Sequence, residues 1–139
     1  MPRNNIAFIE RAKVPALTAL NAAIAGLKFK LVVEHDYKPF EIAGYLPCTL
    51  DGEDAGFDMR FASAAEHAGK SEALGPVLGA RDVAIAIKWG GDPREVAAAY
   101  IVIAALAKDF DALVIDADKG TLFEAAKLVT RARNSLDEL

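Results

Sequence analysis

Cysteine occurs once in this chain, at Cys48, tryptophan once, at Trp89, and histidine twice. A lone thiol has no intramolecular partner, so a disulfide framework is excluded, as is any zinc site built from several cysteines. The expected compartment is therefore a reducing cytoplasm. Basic residues are not in excess either: 16 Lys and Arg against 20 Asp and Glu leave a formal charge of −4, which disfavours a dedicated nucleic-acid binder. Long apolar runs are missing. The longest, such as Val96 to Ala107, fall short of the roughly 20 residues that span a bilayer. The opening Met-Pro-Arg-Asn-Asn lacks the apolar segment of a signal peptide, so neither membrane insertion nor export by that route is expected. With no internal repeat and no low-complexity linker, the expectation is one domain over 1–139. A chain of this length buries roughly 68% of its unfolded surface and needs no covalent staple.

What the chain has in abundance is alanine, 28 residues of it, gathered where larger apolar residues recur at helical spacing. The first such segment runs from Pro15 to about Leu27, with Leu17, Leu20, Ile24 and Leu27 on one stripe and Gly26 as the expected stop. The second opens on Asp92-Pro93-Arg94-Glu95, where Asp accepts from first-turn amides and Pro loses no useful donor. Its expected buried stripe is Val96, Ala99, Tyr100, Ile103, Leu106 and Phe110. A third helix is expected from Thr121, with Glu124 completing a capping box, through Leu128, Val129, Ala132 and Leu136.

Strand-like runs flank these helices: Asn5 to Glu10, Phe29 to Glu34, Asp82 to Trp89 and Ala112 to Asp116. Gly44 to Leu50 and Gly56 to Ala62, joined by Asp51-Gly52-Glu53-Asp54, read as a hairpin. Ser63 to Ala80 reads as a short helix near Ala64 to Ala68 followed by an exposed loop. The expected fold is α+β: about six strands in a βαβ–hairpin–βαβ–α order, a ferredoxin-like variant with helices mainly on one face.

Chemistry is sparse. Trp89-Gly90-Gly91-Asp92-Pro93 carries neither GxGxxG nor a Lys-Ser/Thr pair, and Asp92 puts a negative charge where a phosphate would sit, so a capping turn is the favoured reading. His35 and His67 each stand beside an acid, but neighbours on a strand point to opposite faces and the spacing is that of no metal site. Cys48 shows no activating base and reads as a small apolar strand residue. Asp116 and Asp118 would share a face on a continuing strand, although Asp118-Lys119-Gly120 has the composition of a turn. The hairpin tip differs in kind. Asp51, Glu53, Asp54 and Asp58 place four acids within eight residues with only Arg60 close in sequence, and Tyr45 and Phe57 stand among the aromatics nearby. A solvated turn explains the charges alone; exposed aromatics beside them would anchor a partner protein.

The run Ile87-Lys88-Trp89-Gly90-Gly91-Asp92, the alanine-rich helix through Ala107, then Leu113-Val114-Ile115-Asp116 and Gly120, resembles a pattern in small bacterial immunity proteins of polymorphic toxin systems. The resemblance covers about residues 84 to 122. It implies a compact cytoplasmic protein that binds a toxin domain and blocks it without chemistry, with Asp92 as cap and Gly120 as turn residue. The leading expectation is accordingly a non-catalytic binding protein whose partner is a cognate toxin, such as a basic nuclease, met by Tyr45, Asp51, Glu53, Asp54, Phe57 and Asp58, with no cofactor. The competing expectation is a small enzyme or metabolite-binding domain with a pocket between the hairpin and the Trp89 turn, using His35, His67, Asp116 and Asp118. A structural homodimer through a sheet edge or the third helix is the third.

Overall fold

The computed structural model describes residues 3–139. Nine strands and three helices follow in order: β1 Arg3–Ile9, α1 Leu17–Gly26, β2 Leu31–Val33, β3 Ala43–Leu46, β4 Cys48–Leu50, β5 Glu53–Asp54, β6 Phe57–Ser63, β7 Val83–Trp89, α2 Pro93–Asp109, β8 Leu113–Asp116, β9 Leu122–Phe123 and α3 Ala125–Asp137. The fold is α+β. A six-stranded sheet has the order β3-β6-β7-β1-β8-β9, a three-stranded sheet has the order β2-β4-β5, and every pairing is antiparallel.

The two sheets share one hairpin. Its first arm bends at Pro47 between β3 and β4, its second at Ala55-Gly56 between β5 and β6, and Ala55 N–H donates to Cys48 O at 2.9 Å across the bend. Proline removes a ladder donor and glycine relaxes the backbone, so both arms turn together. At the tip, Asp51 (φ 52°) and Gly52 (φ 81°) both adopt left-handed conformations between the paired Leu50 and Glu53. Two such residues make the type I′ turn for which Asp-Gly is the favoured sequence.

Only the second expected crossover is formed. β7, α2 and β8 place two strands on either side of β1. The first is not: β2 pairs with β4 of the hairpin and never joins β1, so the ferredoxin-like order is not confirmed. A three-residue strand contributes too few ladder bonds to compete for the sheet centre, and the hairpin arm supplies a ready edge. The far edge of β2 is closed by α1. Val33 N–H donates to Asn21 Oδ1 at 2.9 Å and Asn21 Nδ2 donates to Val33 O at 3.1 Å, so an amide side chain takes the place of a further strand.

α1 ends differently from expectation. Gly26 lies inside the helix, and the left-handed residue is Lys28 (φ 71°). Lys28 N–H donates to Ala25 O and Phe29 N–H to Ile24 O, the paired bonds of a Schellman cap, with Ile24 and Phe29 both buried. A lysine there carries a left-handed penalty that glycine does not. Lys28→Gly is expected to raise stability by about 0.5–1 kcal/mol, after the entropy that glycine adds to the unfolded chain, measured by urea denaturation.

α2 begins where its sequence says, with Asp92 Oδ1 accepting from Arg94 N–H at 2.9 Å. Its burial exceeds a stripe. Ala97 to Ala99 and Ile101 to Leu106 are all buried because the sheet lies on one side and α1 and α3 on others. Alanines on every side permit that approach. α3 starts four residues later than expected. Thr121 and Glu124 form no capping box, because the turn at Asp118-Lys119-Gly120 sends Leu122-Phe123 back to pair with Val114-Ile115.

All three helices bury their apolar side chains on one face of the sheet. The segment 64–80 covers part of the other. It forms three short 3₁₀ turns, Ala64–Glu66, Ala68–Lys70 and Gly75–Val77, in place of a helix and loop. Leu74 is fully buried in a second cluster with Ile6, Phe8, Ala84 and Ile115. Burying that leucine contributes roughly 1.5–3 kcal/mol, and Ala64, Ala68 and Leu78 in the same cluster and the Ser71 hydroxyl, donating to Gly120 O at 2.6 Å, add to what holds the segment against the strands.

Candidate functional site

Strand alternation sets what the uncovered part of that outer face displays. Leu46, Cys48, Leu50, Phe57 and Met59 point into the helix-side core, so Tyr45, Pro47, Thr49, Asp58 and Arg60 point out. Register then builds two outward rows, one on either side of the Pro47 and Gly56 bend: Tyr45 opposite Asp58 opposite Lys88, and Val32 opposite Thr49 opposite Asp54. Tyr45 is 59% exposed and Val32 50%, the two most exposed large apolar side chains of the two sheets.

Tyr45 is nonetheless held in place. Gly56 N–H donates to its hydroxyl at 3.1 Å, and the ring lies across Gly56, where a Cβ would run into the ring and come within 2.6 Å of Leu46 O. The glycine is thus required by close approach. An aromatic ring is held at the surface with its rotamer already chosen.

The six residues expected at a partner surface do not all reach it. Tyr45, Asp51, Glu53 and Asp54 are exposed and Asp58 is half-buried, but Phe57 is 1% exposed. Phe57 pairs with Leu46 on the inward row, so it belongs to the core; this corrects its placement at the surface. The tip is also less acidic than its sequence. Arg94, 41 residues on from Glu53, reaches Glu53 at 2.7 Å and donates to Leu50 O at 3.0 Å. Asp58 is held by Arg60 at 3.0 Å. Lys28 and Lys30 share a cleft of about 410 Å³ with Asp51, Glu53 and Arg94, so the helix-side flank of the tip is mixed in charge. Arg60 stands two residues from Asp58 in the chain, but no sequence spacing announces Lys28, Lys30 or Arg94, which arrive from outside the hairpin. The outward flank keeps Asp54 and Asp58 beside the exposed ring.

The four residues of the competing reading do not share one cleft. Of them, His67 alone lines the cleft of about 390 Å³ between segment 64–80 and the sheet, with Asn4, Glu66 and Lys88. Asn4 Oδ1 is buried there with no hydrogen-bond partner. His35 is exposed on the turn after β2, 3.6 Å from Asp36. Asp116 Oδ1 accepts from the backbone N–H of Asp118 at 2.8 Å and of Lys119 at 3.1 Å, the work of a turn residue. Among the described residues no group of three or more His, Cys, Asp or Glu is placed to hold a metal ion. A further cleft, about 530 Å³, opens at the Trp89 turn, but its other wall is α3 and not the hairpin.

Cys48 is buried, 3.8 Å from Leu46 O, and burial pushes its thiol up to about 12, with the Glu34 carboxylate adding to the shift. At neutral pH it is a protonated core side chain. No helix of the described residues is long and apolar enough to cross a membrane. Comparison with protein-family models, curated proteins and solved structures finds no match to this chain.

Proposed function

We propose that this chain is a non-catalytic protein-binding module that docks a partner on the outer face of the hairpin, in the manner of an immunity protein neutralising a cognate bacterial toxin. The observation that carries the reading is Tyr45, exposed yet pinned by the Gly56 amide, on a face no helix covers and beside Asp54 and Asp58. Tyrosine is favoured at binding hot spots because it brings a large contact area at small entropic cost, and a ring already fixed loses less on docking. Val32 adds apolar surface and Asp54 favours a partner with a basic surface, a nuclease domain among the candidates, whereas the charge of Asp58 is offset by Arg60 and Lys88. The contribution of Asp51 and Glu53 is smaller, since cations flank them on the helix side.

The test is co-expression with the product of the adjacent reading frame, followed by size-exclusion chromatography and a growth-rescue assay. A stable complex and rescue are expected. Tyr45→Ala should weaken the complex by about 30-fold or more while leaving the chain folded, and Asp54→Lys should slow association, most visibly at low salt. Absence of both complex and rescue with every neighbouring toxin removes this reading, as does a complex indifferent to Tyr45→Ala.

A further inference from the structure

The cleft at the Trp89 turn is the largest of those described and takes no part in the hairpin face. Two guanidiniums line it, Arg3 from β1 and Arg131 from α3. Arg60, Arg81 and Arg94 each have a carboxylate within 4.0 Å; Arg3, Arg11, Arg131 and Arg133 have none among the described residues, and of these four Arg3 and Arg131 line this cleft, together with Glu138. The guanidinium carbon of Arg131 lies 4.8 Å from the centre of the Phe123 ring, which supports the cation without neutralising it.

Gly90 and Gly91 form another part of the wall, and the fold gives no reason for either to be glycine. Neither has a positive φ, and a Cβ on either meets nothing within 4 Å. Their effect is to leave bare main chain along the cleft. Opposite stand Val96 and Tyr100, with Tyr100 braced edge-on by Trp89 at 5.1 Å. The N-terminus of α2 is already capped by Asp92, so recognition here belongs to the cations and the apolar wall.

We infer that this cleft binds a small organic phosphate monoester, its phosphoryl group held by Arg3 and Arg131 and its organic part against Val96 and Tyr100. Two unpaired guanidiniums match a dianion with three acceptor oxygens, and the missing side chains at Gly90 and Gly91 admit it. The site is separate from the docking face, and the two are measured by different assays.

Trp89 is the only tryptophan and lines the cleft, so its fluorescence reports occupancy directly. Titration of the intact chain with phenyl phosphate should give a saturable change, with weaker binding of inorganic phosphate and none of phenol. Arg3→Gln and Arg131→Gln should each weaken phenyl phosphate about tenfold or more, and added salt should weaken it further. Gly91→Ala should melt at the parental temperature or above, since its Cβ has room, yet lose affinity. No saturable change with phenyl phosphate, or affinity unaltered in both glutamine variants, overturns the inference. Equal affinity for inorganic phosphate overturns the role given to Val96 and Tyr100.

Discussion

Gly56→Ala will cost about 3 kcal/mol of stability and lower the melting temperature by about 10 °C. The added methyl meets two obstacles of different kinds. One is the Tyr45 ring, exposed on its far side and free to swing away once its hydroxyl gives up the Gly56 amide. The other is Leu46 O at 2.6 Å, a backbone atom in a paired strand that moves only if the hairpin bend moves. The double variant Tyr45→Ala/Gly56→Ala should therefore recover only part of the loss. Gly44→Ala, on the same hairpin with nothing within 4 Å of its Cβ, should stay within about 0.5 kcal/mol of the parent. Urea denaturation of the four proteins decides it. A Gly56→Ala chain as stable as the parent would show that the crossing of ring and backbone does not constrain the hairpin.

Stability should be level through neutral pH and then fall by about 4 kcal/mol by about pH 11. Two buried acids of the protein cause this. Cys48 ionises near 9.0 when unfolded but is held protonated to about 12 by burial in the native core, with Glu34 opposing its charge. Tyr37, whose hydroxyl donates to Pro15 O at 2.8 Å, is likewise raised above its ordinary 10.0 by burial. A folded value above the unfolded one contributes stability that is whole below the unfolded value and is lost as pH rises towards the folded one. The unfolded chain then holds fewer protons than the native, and each group removes about 1.4 kcal/mol per pH unit above its unfolded value. Cys48 acts first, Tyr37 above about pH 10. Urea midpoints measured across this range should lose their first slope in Cys48→Ala and their second in Tyr37→Phe. A midpoint at about pH 10.5 equal to that at about pH 8 would mean that neither group stays protonated in the folded protein.

The local pieces were readable because each rests on neighbours in the chain. Asp92-Pro93 starts α2 through a bond between residues two apart, Asp51-Gly52 makes its turn from two left-handed residues, and Asp116 closes its own turn. The alternation Phe57-Asp58-Met59-Arg60 even carried the information that Phe57 faces inward, although proximity to the acidic tip suggested a surface role. Misreadings came where a local signal was outbid from outside. The Thr121-Glu124 capping pattern lost to strand pairing with β8, and Gly26 lost the helix stop to Lys28.

What the sequence by itself determined is the class of elements, the crossover through α2, the hairpin with its turn, and the alternation along the longer strands, all set by short-range periodicity and turn chemistry. Only the tertiary structure decided that β2 joins the hairpin, that segment 64–80 lies on the sheet around Leu74, that Arg94 meets Glu53 and that Arg3 and Arg131 share one cleft. Those arrangements depend on which apolar faces find each other across the chain. Charges then sit where packing carries them, so their partners are fixed by burial far from their own place in the sequence.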